Sequence, residues 1–176
     1  DGTAWTSLGT LAGVDEIAVW NGQLVALYAS SQFTAHAVRW DGSAWQQLGT
    51  FGNSAGTTFV TSLAVFNGEL IVAGAFTTVS GVPAQSIARF DGTTWSPLGA
   101  GLGGIAYAMS VWNGQLRVGG SFLTAGGQPA GNLASWTGST WIVGPSFNGA
   151  IRTIAVRTTT SLATSVLPVR KPVAMP

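Results

Sequence analysis

The chain has 176 residues, of which seven are basic and six acidic, so that its formal net charge is +1 at pH 7. A hydrophobic share of 46% excludes a charge-rich disordered chain, and the absence of Lys- and Glu-rich heptads argues against a helical bundle. We expect neither a nucleic-acid partner nor a membrane span, because there is no basic excess and the apolar runs are short, and the lack of cysteine excludes disulfides and zinc–thiolate sites.

A 46-residue repeat organises the chain. Asn21-Gly22, Asn67-Gly68 and Asn113-Gly114 follow one another at this spacing, and each pair separates two short apolar runs. A type I′ turn needs positive φ at both central residues, so Asn-Gly between apolar runs predicts a tight β-hairpin. In the second repeat this turn is predicted to place Leu63 opposite Val72, on a sheet that is apolar on both faces.

A second motif, DGxxWxxLG, begins at residues 1, 41 and 91, and a decayed copy reads TGSTWIVG from Thr137. We interpret Asp41 and Asp91 as turn residues rather than general acids, because each is followed by glycine. The motif carries a recurring tryptophan, at Trp5, Trp45, Trp95 and Trp141. Recurrence at one structural position favours packing between neighbouring units over stacking on a sugar.

The first motif also has an eroded fourth copy, which begins at Ile151 and has Thr158-Thr159 in place of Asn-Gly. We therefore assign residues 1–167 to one repeat domain. Its repeats cover about residues 1–40, 41–90, 91–136 and 137–167. Residues 168–176 are rich in proline and are predicted to form an extended tail.

Each repeat contains four short apolar or alternating runs and no amphipathic stretch of helical length. A β-propeller blade has four strands and a repeat length close to 46 residues, so each repeat matches one blade in both respects. The predicted fold class is therefore all-β, a propeller of about four four-stranded blades or a fragment of a larger propeller. Two alternatives stay open, namely a small closed ring and an open unit that a second copy completes.

The order of the motifs resembles the kelch repeat, in which a strand ends in a glycine pair and a tryptophan lies downstream. Gly119-Gly120 is such a pair, Ala73-Gly74 matches it in part, and the first repeat has Tyr28-Ala29 instead. The third repeat also resembles repeats of bacterial secreted proteins and of a fungal cortical polarity marker. The resemblance implies that the strand before Asn-Gly is innermost, that the WxxLG strand is outermost, and that the protein is extracellular or on the cell surface.

The sequence offers little for catalysis. His36 is the single histidine, and a Ser-His-Asp triad would depend on it. We interpret His36 as a residue of a loop or strand edge. No clustered histidines or carboxylates suggest a metal, so we predict no catalytic residue, no metal ligand and no cofactor.

Ligand binding is more plausible where the repeats differ. Asp15, Thr61, Tyr107 and Arg152 occupy one equivalent column at the start of the innermost strands. In a ring they would surround one mouth of the central channel, where we predict a ligand or partner site at Asp15, Tyr107 and Arg152; the alternative is random surface variation. In a closed ring of four blades, Asp15 and Arg152 would be close neighbours.

Two further tryptophans precede the Asn-Gly turns. Trp20 and Trp112 lie near the predicted sheet edge and are the second part of the predicted ligand site, as possible stacking surfaces. Loops at residues 52–58, 77–86, 100–105 and 123–132 are expected on the same face as the channel mouth. Loops on a rigid scaffold often carry binding residues.

The function predicted from these patterns is that of a non-catalytic secreted or surface scaffold that binds a protein or a glycan. A lectin-like propeller and a self-assembling subunit, joined as a homo-oligomer through open blade edges, are the alternatives. An enzyme with its active site at the channel mouth is less favoured, because His36 and Asp15 are its only acid–base candidates.

Overall fold

The computed structural model of the chain describes residues 7–11 and 13–155. These residues contain fifteen β-strands and no helix. The first four strands form one unit: β1 (Val14–Trp20), β2 (Gln23–Ser31), β3 (Thr34–Trp40) and β4 (Trp45–Gly52). The next six are β5 (Phe59–Phe66), β6 (Glu69–Ala75), β7 (Thr78–Val79), β8 (Val82–Pro83), β9 (Ile87–Phe90) and β10 (Trp95–Pro97). The last five are β11 (Leu102–Trp112), β12 (Gln115–Ala125), β13 (Gln128–Pro129), β14 (Leu133–Trp136) and β15 (Trp141–Val143).

Three antiparallel four-stranded meanders make up the fold, and we call them blades 1, 2 and 3. Blade 1 is β1-β2-β3-β4, blade 2 is β5-β6-β9-β10 and blade 3 is β11-β12-β14-β15. Innermost strand β5 packs between β1 and β11, so the blades follow one another in chain order. The all-β, propeller-type fold class is confirmed. Each blade takes its outermost strand from the next sequence repeat, so blades and repeats are one strand out of phase.

The Asn-Gly turns form as predicted. Asn67 and Gly68 have φ of 52° and 82°, and the two equivalent turns also have positive φ at both residues. Both residues of a type I′ turn need this conformation. The resulting register pairs Leu63 with Val72, which confirms the predicted hairpin.

The aspartates of the second motif cap the turns before the outermost strands. One carboxylate oxygen of Asp91 accepts the backbone N–H groups of Thr93 and Thr94, at 2.7 and 2.8 Å. Asp41 makes the same pair of bonds. These bonds favour the ionised form and hold the pKa of both carboxyl groups well below the usual range. Their predicted role in turns is confirmed.

The hydrophobic core lies between the blades. One cluster joins the face of blade 1 that carries Val25 and Leu27 to the face of blade 2 that carries Leu70 and Val72. A second cluster, which includes Ile71, joins the opposite face of blade 2 to blade 3. Blade 2 is therefore apolar on both faces, and this arrangement accounts for the low charge of the chain, since unpaired charges are seldom buried.

The recurring tryptophans link the outermost strands of successive units. Each indole N–H donates to the leucine carbonyl of the preceding WxxLG motif. The bonds run from Trp45 to Leu8, from Trp95 to Leu48 and from Trp141 to Leu98, across 2.8, 2.7 and 2.8 Å. We call this series the tryptophan ladder. It confirms the predicted role of these residues in packing between units; Trp5 lies outside the described residues.

The segments predicted as mouth loops are more ordered than expected. Residues 77–86 contain the β7–β8 hairpin, and Val79 pairs with Phe51 of blade 1, so blade 2 extends the sheet of its neighbour. Residues 100–105 and 123–132 were predicted as loops, but β11 begins at Leu102 and β12 continues to Ala125. The prediction is wrong for residues 102–105 and 123–125, because pairing of Leu102 with Ala125 prolongs the hairpin. The predicted loop at residues 52–58 is confirmed for residues 53–58, which form no strand.

The eroded fourth copy begins against blade 3. The backbone N–H of Ile151 donates to the Gly120 carbonyl at 2.9 Å, and residues 151–155 form no strand. A Cβ atom on Gly119 would collide with Ile151, so the glycine makes room for this segment. The rest of the copy, the Thr158-Thr159 turn and the proline-rich tail lie outside the described residues, and closure of the ring stays a prediction.

Candidate functional site at the start of the innermost strands

The predicted column of variable residues coincides with a β-bulge in every blade. The pairing register shifts between Val14 and Glu16, between Val60 and Ser62, and between Ala106 and Ala108. The extra residues are Asp15, Thr61 and Tyr107. A bulge leaves one residue unpaired and redirects its side chain, and bulges are common beside functional sites. The column is therefore a structural feature as well as a sequence one.

The three bulged residues present different chemistry. The hydroxyl of Thr61 lies 2.6 Å from the Ala106 carbonyl oxygen, so it links blades 2 and 3. The guanidinium of Arg152 lies 4.7 Å from the centre of the Tyr107 ring, a cation–π arrangement. Asp15 is largely exposed. The neighbouring protein atoms still remove some water from its carboxyl group, and this raises the pKa of that group. The site thus combines a carboxylate, a hydroxyl and an arginine held on an aromatic ring.

The structure brings only part of the predicted site together. Tyr107 and Arg152 are in contact. Asp15 and Arg152 form no ion pair within the described residues, where the pair between Arg89 and Glu69 is the one observed. The predicted proximity of Asp15 to Arg152 in a closed ring stays a prediction.

Glu16, beside the bulge of blade 1, is a charged residue at a position where the repeats differ, and it was not among the predicted ligand-site residues. Its carboxylate accepts the backbone N–H of Leu63 in blade 2. Ser62 holds the equivalent position in blade 2 and accepts the N–H of Met109 in blade 3, at 3.2 Å. When the repeats are aligned on the Asn-Gly turns, Glu16, Ser62 and Ala108 occupy the same position, and Glu16 is the charged residue among them.

The second carboxylate oxygen of Glu16 is buried and has no hydrogen-bond partner among the described residues. Burial raises the pKa of the Glu16 carboxyl group, and the bond from Leu63 opposes this shift. A raised pKa means that the ionised carboxylate destabilises the fold, so the stability contributed by Glu16 is lost as pH rises from its ordinary value of 4.5 through the raised pKa.

We expect Glu16→Gln to stabilise the protein at neutral pH. The amide oxygen still accepts from Leu63, and no charge is buried. Because Glu16 is only half buried, the gain should be a few tenths of a kcal/mol, discounted for solvent screening. The advantage should shrink between about pH 7 and about pH 4, where the wild-type carboxyl group becomes protonated. Thermal unfolding at both pH values measures it.

Glu69→Gln is the matched control for this prediction. Glu69 pairs with Arg89 at 3.4 Å with both side chains partly exposed, so its removal should leave stability nearly unchanged or slightly lower. An equal gain in both variants, or a Glu16→Gln gain that does not depend on pH, would contradict the assignment of the burial cost to Glu16.

The two tryptophans predicted as stacking surfaces differ in their surroundings. Trp20 is 2% exposed, and its indole N–H donates to the Gly68 carbonyl of blade 2 at 2.8 Å. Trp20 is thus part of the packing between blades and offers no ring face to a ligand. Trp112 is 44% exposed, and the Arg117 guanidinium lies 4.4 Å from the centre of its ring.

The prediction that His36 belongs to a loop or a strand edge is wrong, because His36 lies within β3 and pairs with Tyr28 of β2 and Thr50 of β4. Hydroxyl groups hold its ring. Its Nε2 lies 2.8 Å from Ser30 Oγ, its Nδ1 lies 3.4 Å from Thr50 Oγ1, and its ring stacks on Tyr28. Burial lowers the pKa of the imidazole. Within the described residues no carboxylate bonds to this histidine, and no group of three or more His, Cys, Asp or Glu residues is arranged to hold a metal ion.

A family model described as a domain of unknown function (DUF5122) beta-propeller matches residues 67–93. The matched segment runs from the Asn-Gly turn of blade 2 to the turn at Asp91, and it supports a propeller repeat without specifying the kelch type. No curated protein and no solved structure matches the chain. No helix in the described ranges is long and apolar enough to cross a membrane.

Proposed function

We propose that this chain is a non-catalytic interaction module of kelch-like blades that acts outside the cell or on its surface. The observation that carries the proposal is the β-bulge at the same register in each innermost strand, with a different residue at each bulge. The flanking strand positions repeat and pack between blades, whereas the bulged positions vary. Loops and bulges on a rigid scaffold are the usual place for recognition residues.

The chemistry of the column favours a protein partner. Tyrosine and arginine are enriched among the residues that contribute most to binding energy, and here Arg152 is already positioned on the Tyr107 ring. Asp15 adds an acidic group at the equivalent place in blade 1. A partner with an exposed carboxylate facing Arg152 and an apolar group facing Tyr107 would match this surface.

The proposal is tested by affinity capture with the immobilised chain, followed by measurement of the dissociation constant for the purified partner. Arg152→Ala and Tyr107→Ala should each weaken binding by at least tenfold, because truncation of a central binding residue commonly costs about 2 kcal/mol or more. The circular dichroism spectra and the unfolding midpoints of the variants should stay close to those of the wild type.

Arg117→Ala is the matched control, because it also removes an arginine stacked on an aromatic ring, but away from the bulge column. It should leave the partner's affinity unchanged. The proposed site would be overturned if Arg117→Ala and Arg152→Ala lost the same amount of affinity. It would also be overturned if the partner bound Arg152→Ala and Tyr107→Ala as tightly as the wild type.

Self-assembly is a second candidate function, and the exposure of equivalent positions favours it. Ile17 of blade 1 is 60% exposed, whereas Leu63 at the same position of blade 2 is 7% exposed. At the other end, Trp112 of blade 3 is 44% exposed, whereas Trp20 of blade 1 is 2% exposed. Among the described residues, blades 1 and 3 thus each present a face that is buried at the internal junctions.

If these faces join two copies, the mass measured by light scattering should rise with concentration above 18.0 kDa. Ile17→Asp and Trp112→Asp should each restore the single-chain mass, because a carboxylate in an apolar interface is poorly solvated. Phe33→Asp is the control, since Phe33 is 56% exposed and lies on a hairpin turn. A constant single-chain mass for the wild type would refute self-assembly.

A further inference from the structure

The three Asn-Gly turns share a local sequence but differ in their surroundings. Residues 20–24 and 112–116 both read WNGQL, and residues 66–70 read FNGEL. The asparagine and the glycine of each turn are exposed. The chain therefore holds three nearly identical copies of one dipeptide, and a large difference in their chemical reactivity would have to come from the fold around them.

Asparagine followed by glycine is the dipeptide that most readily forms a succinimide. The backbone nitrogen of the glycine attacks the side-chain carbon Cγ of the asparagine, since glycine has no Cβ atom to obstruct the approach. A bond forms between these two atoms, the bond from Cγ to Nδ2 breaks, and the proton of the backbone nitrogen leaves with the amide as ammonia. Water then opens the ring at either carbonyl and yields aspartate or isoaspartate, so no oxidant or reductant is required.

The native turn opposes this reaction until it opens. Asn113 has φ of 50°, in the left-handed region where ψ is about +47°. Ring closure needs a different ψ, because the glycine nitrogen has to swing towards Cγ. Pairing of Trp112 with Gln115 across the turn holds the backbone in its native conformation. Each turn therefore reacts through local opening, and its rate follows the free energy of that opening.

The second turn is held closed by both neighbouring blades. The indole N–H of Trp20 in blade 1 donates to the Gly68 carbonyl at 2.8 Å. On the other side, a Cβ atom on Gly138 of blade 3 would lie 3.2 Å from Nδ2 of Asn67, so this side chain lies against blade 3. Phe66, which precedes the turn, is buried. Opening of the second turn therefore breaks a hydrogen bond and separates packed groups.

The third turn lacks the equivalent hydrogen bond. Phe66 holds the place in blade 2 that Trp20 holds in blade 1, and a phenyl ring has no N–H group to donate to the Gly114 carbonyl. Trp112, which precedes the third turn, is exposed among the described residues. Opening of the third turn therefore costs less than opening of the second.

We propose that Asn113 is a site of spontaneous modification, which converts to aspartate and isoaspartate in the folded protein ahead of Asn67. The conversion replaces a neutral amide by a carboxylate, so the added negative charge lowers the formal net charge of the chain from +1 to 0. Isoaspartate also lengthens the backbone between Trp112 and Gln115, which a two-residue turn does not accommodate. The inference depends on neither of the two candidate functions.

The test follows the folded chain at mildly alkaline pH by peptide mass spectrometry, in which conversion of the amide to an acid raises the mass of the peptide. Each rate is divided by the rate of the same asparagine in the urea-unfolded chain, which removes the effect of local sequence. On this scale Asn113 should convert about threefold to tenfold faster than Asn67, as expected for one hydrogen bond that has to break. Equal rates, a slower Asn113, or no conversion of Asn113 in the folded chain would overturn the proposal.

Two substitutions change the protection of individual turns. Trp20→Phe keeps an aromatic ring but removes the indole donor, so Asn67 should convert about threefold to tenfold faster while Asn113 is unchanged. Phe66→Trp supplies the missing donor to the third turn and should slow Asn113. Trp112→Phe is the matched control, and it should leave the rate of Asn67 unchanged. Equal acceleration of Asn67 and Asn113 in Trp20→Phe would contradict the role of the hydrogen bond, because it would indicate a general loss of stability.

Discussion

Replacement of Gly74 or Gly120 by alanine is expected to destabilise the native fold strongly and to lower the urea midpoint of unfolding. A Cβ atom on Gly74 would overlap the Phe59 carbonyl oxygen and lie 2.9 Å from the Cα atom of Val60. The obstacle is the backbone of the facing strand, which cannot rotate away as a side chain can. Overpacking against backbone in a buried sheet should cost about 3 kcal/mol or more, a large fraction of the stability of a domain of this size.

In blades 2 and 3 these glycines lie opposite the residue that precedes the bulge. Gly74 pairs with Val60 and Gly120 with Ala106, and each facing residue precedes a bulged one, Thr61 or Tyr107. A bulge bends its strand, and here it brings the backbone over the glycine. In blades 2 and 3 the glycine of the kelch-like pair is therefore a neighbour of the variable residue of the proposed site. Blade 1 has the same bulge with Tyr28 paired to Val14, so the glycine is required by the close approach of the facing backbone in blades 2 and 3 and not by the bulge alone.

Gly56→Ala is the matched control, because a Cβ atom on Gly56 would have no neighbour within 4 Å. It should change the free energy of unfolding, measured by urea unfolding, by less than about 0.5 kcal/mol. Blade 1 shows how the fold does without the glycine, since Tyr28 takes that place and the β2–β3 hairpin runs on to Ser31 and Thr34. Gly74→Ala with a wild-type midpoint would show that the facing strands can separate at little cost.

Local features of this fold could be predicted from the sequence. The Asn-Gly turns, the pairing of Leu63 with Val72 and the turn role of Asp91 follow from backbone preferences within a few residues. The packing role of the ladder tryptophans also followed, because a repeat that places one residue type at one position reveals a shared environment. The column of Asp15, Thr61 and Tyr107 was found for the same reason.

Features that depend on contacts between blades could not be predicted in this way. Trp20 and Trp112 hold the same place in the repeat, yet Trp20 is buried and Trp112 exposed, because among residues 7–11 and 13–155 a following blade contacts the ring of Trp20 and not that of Trp112. The buried oxygen of Glu16 arises where two blades meet. Sequence spacing gives the strands of a blade, but it does not give the distance or rotation between blades.

The second large effect is expected at the tryptophan ladder. Trp95 is 7% exposed, and its ring lies 5.3 Å from Phe51 of blade 1 and 5.0 Å from Phe90 of its own blade. A Cβ atom on Gly49 would lie 2.6 Å from the indole nitrogen, so the preceding motif leaves room for this side chain. Trp95→Ala should therefore destabilise the fold by about 3–5 kcal/mol, because it leaves a cavity where the ring now packs against both blades.

Trp95→Phe separates the hydrogen bond from the packing of the ring. Phenylalanine keeps most of the apolar contact but leaves the Leu48 carbonyl without its donor, so a loss of about 1–3 kcal/mol is expected. Trp112→Phe provides the control, because Trp112 is 44% exposed and should change stability by less than about 1 kcal/mol. Urea unfolding measures all three variants. A Trp95→Phe loss no greater than that of Trp112→Phe would mean that the ladder bonds set the positions of the blades without stabilising them.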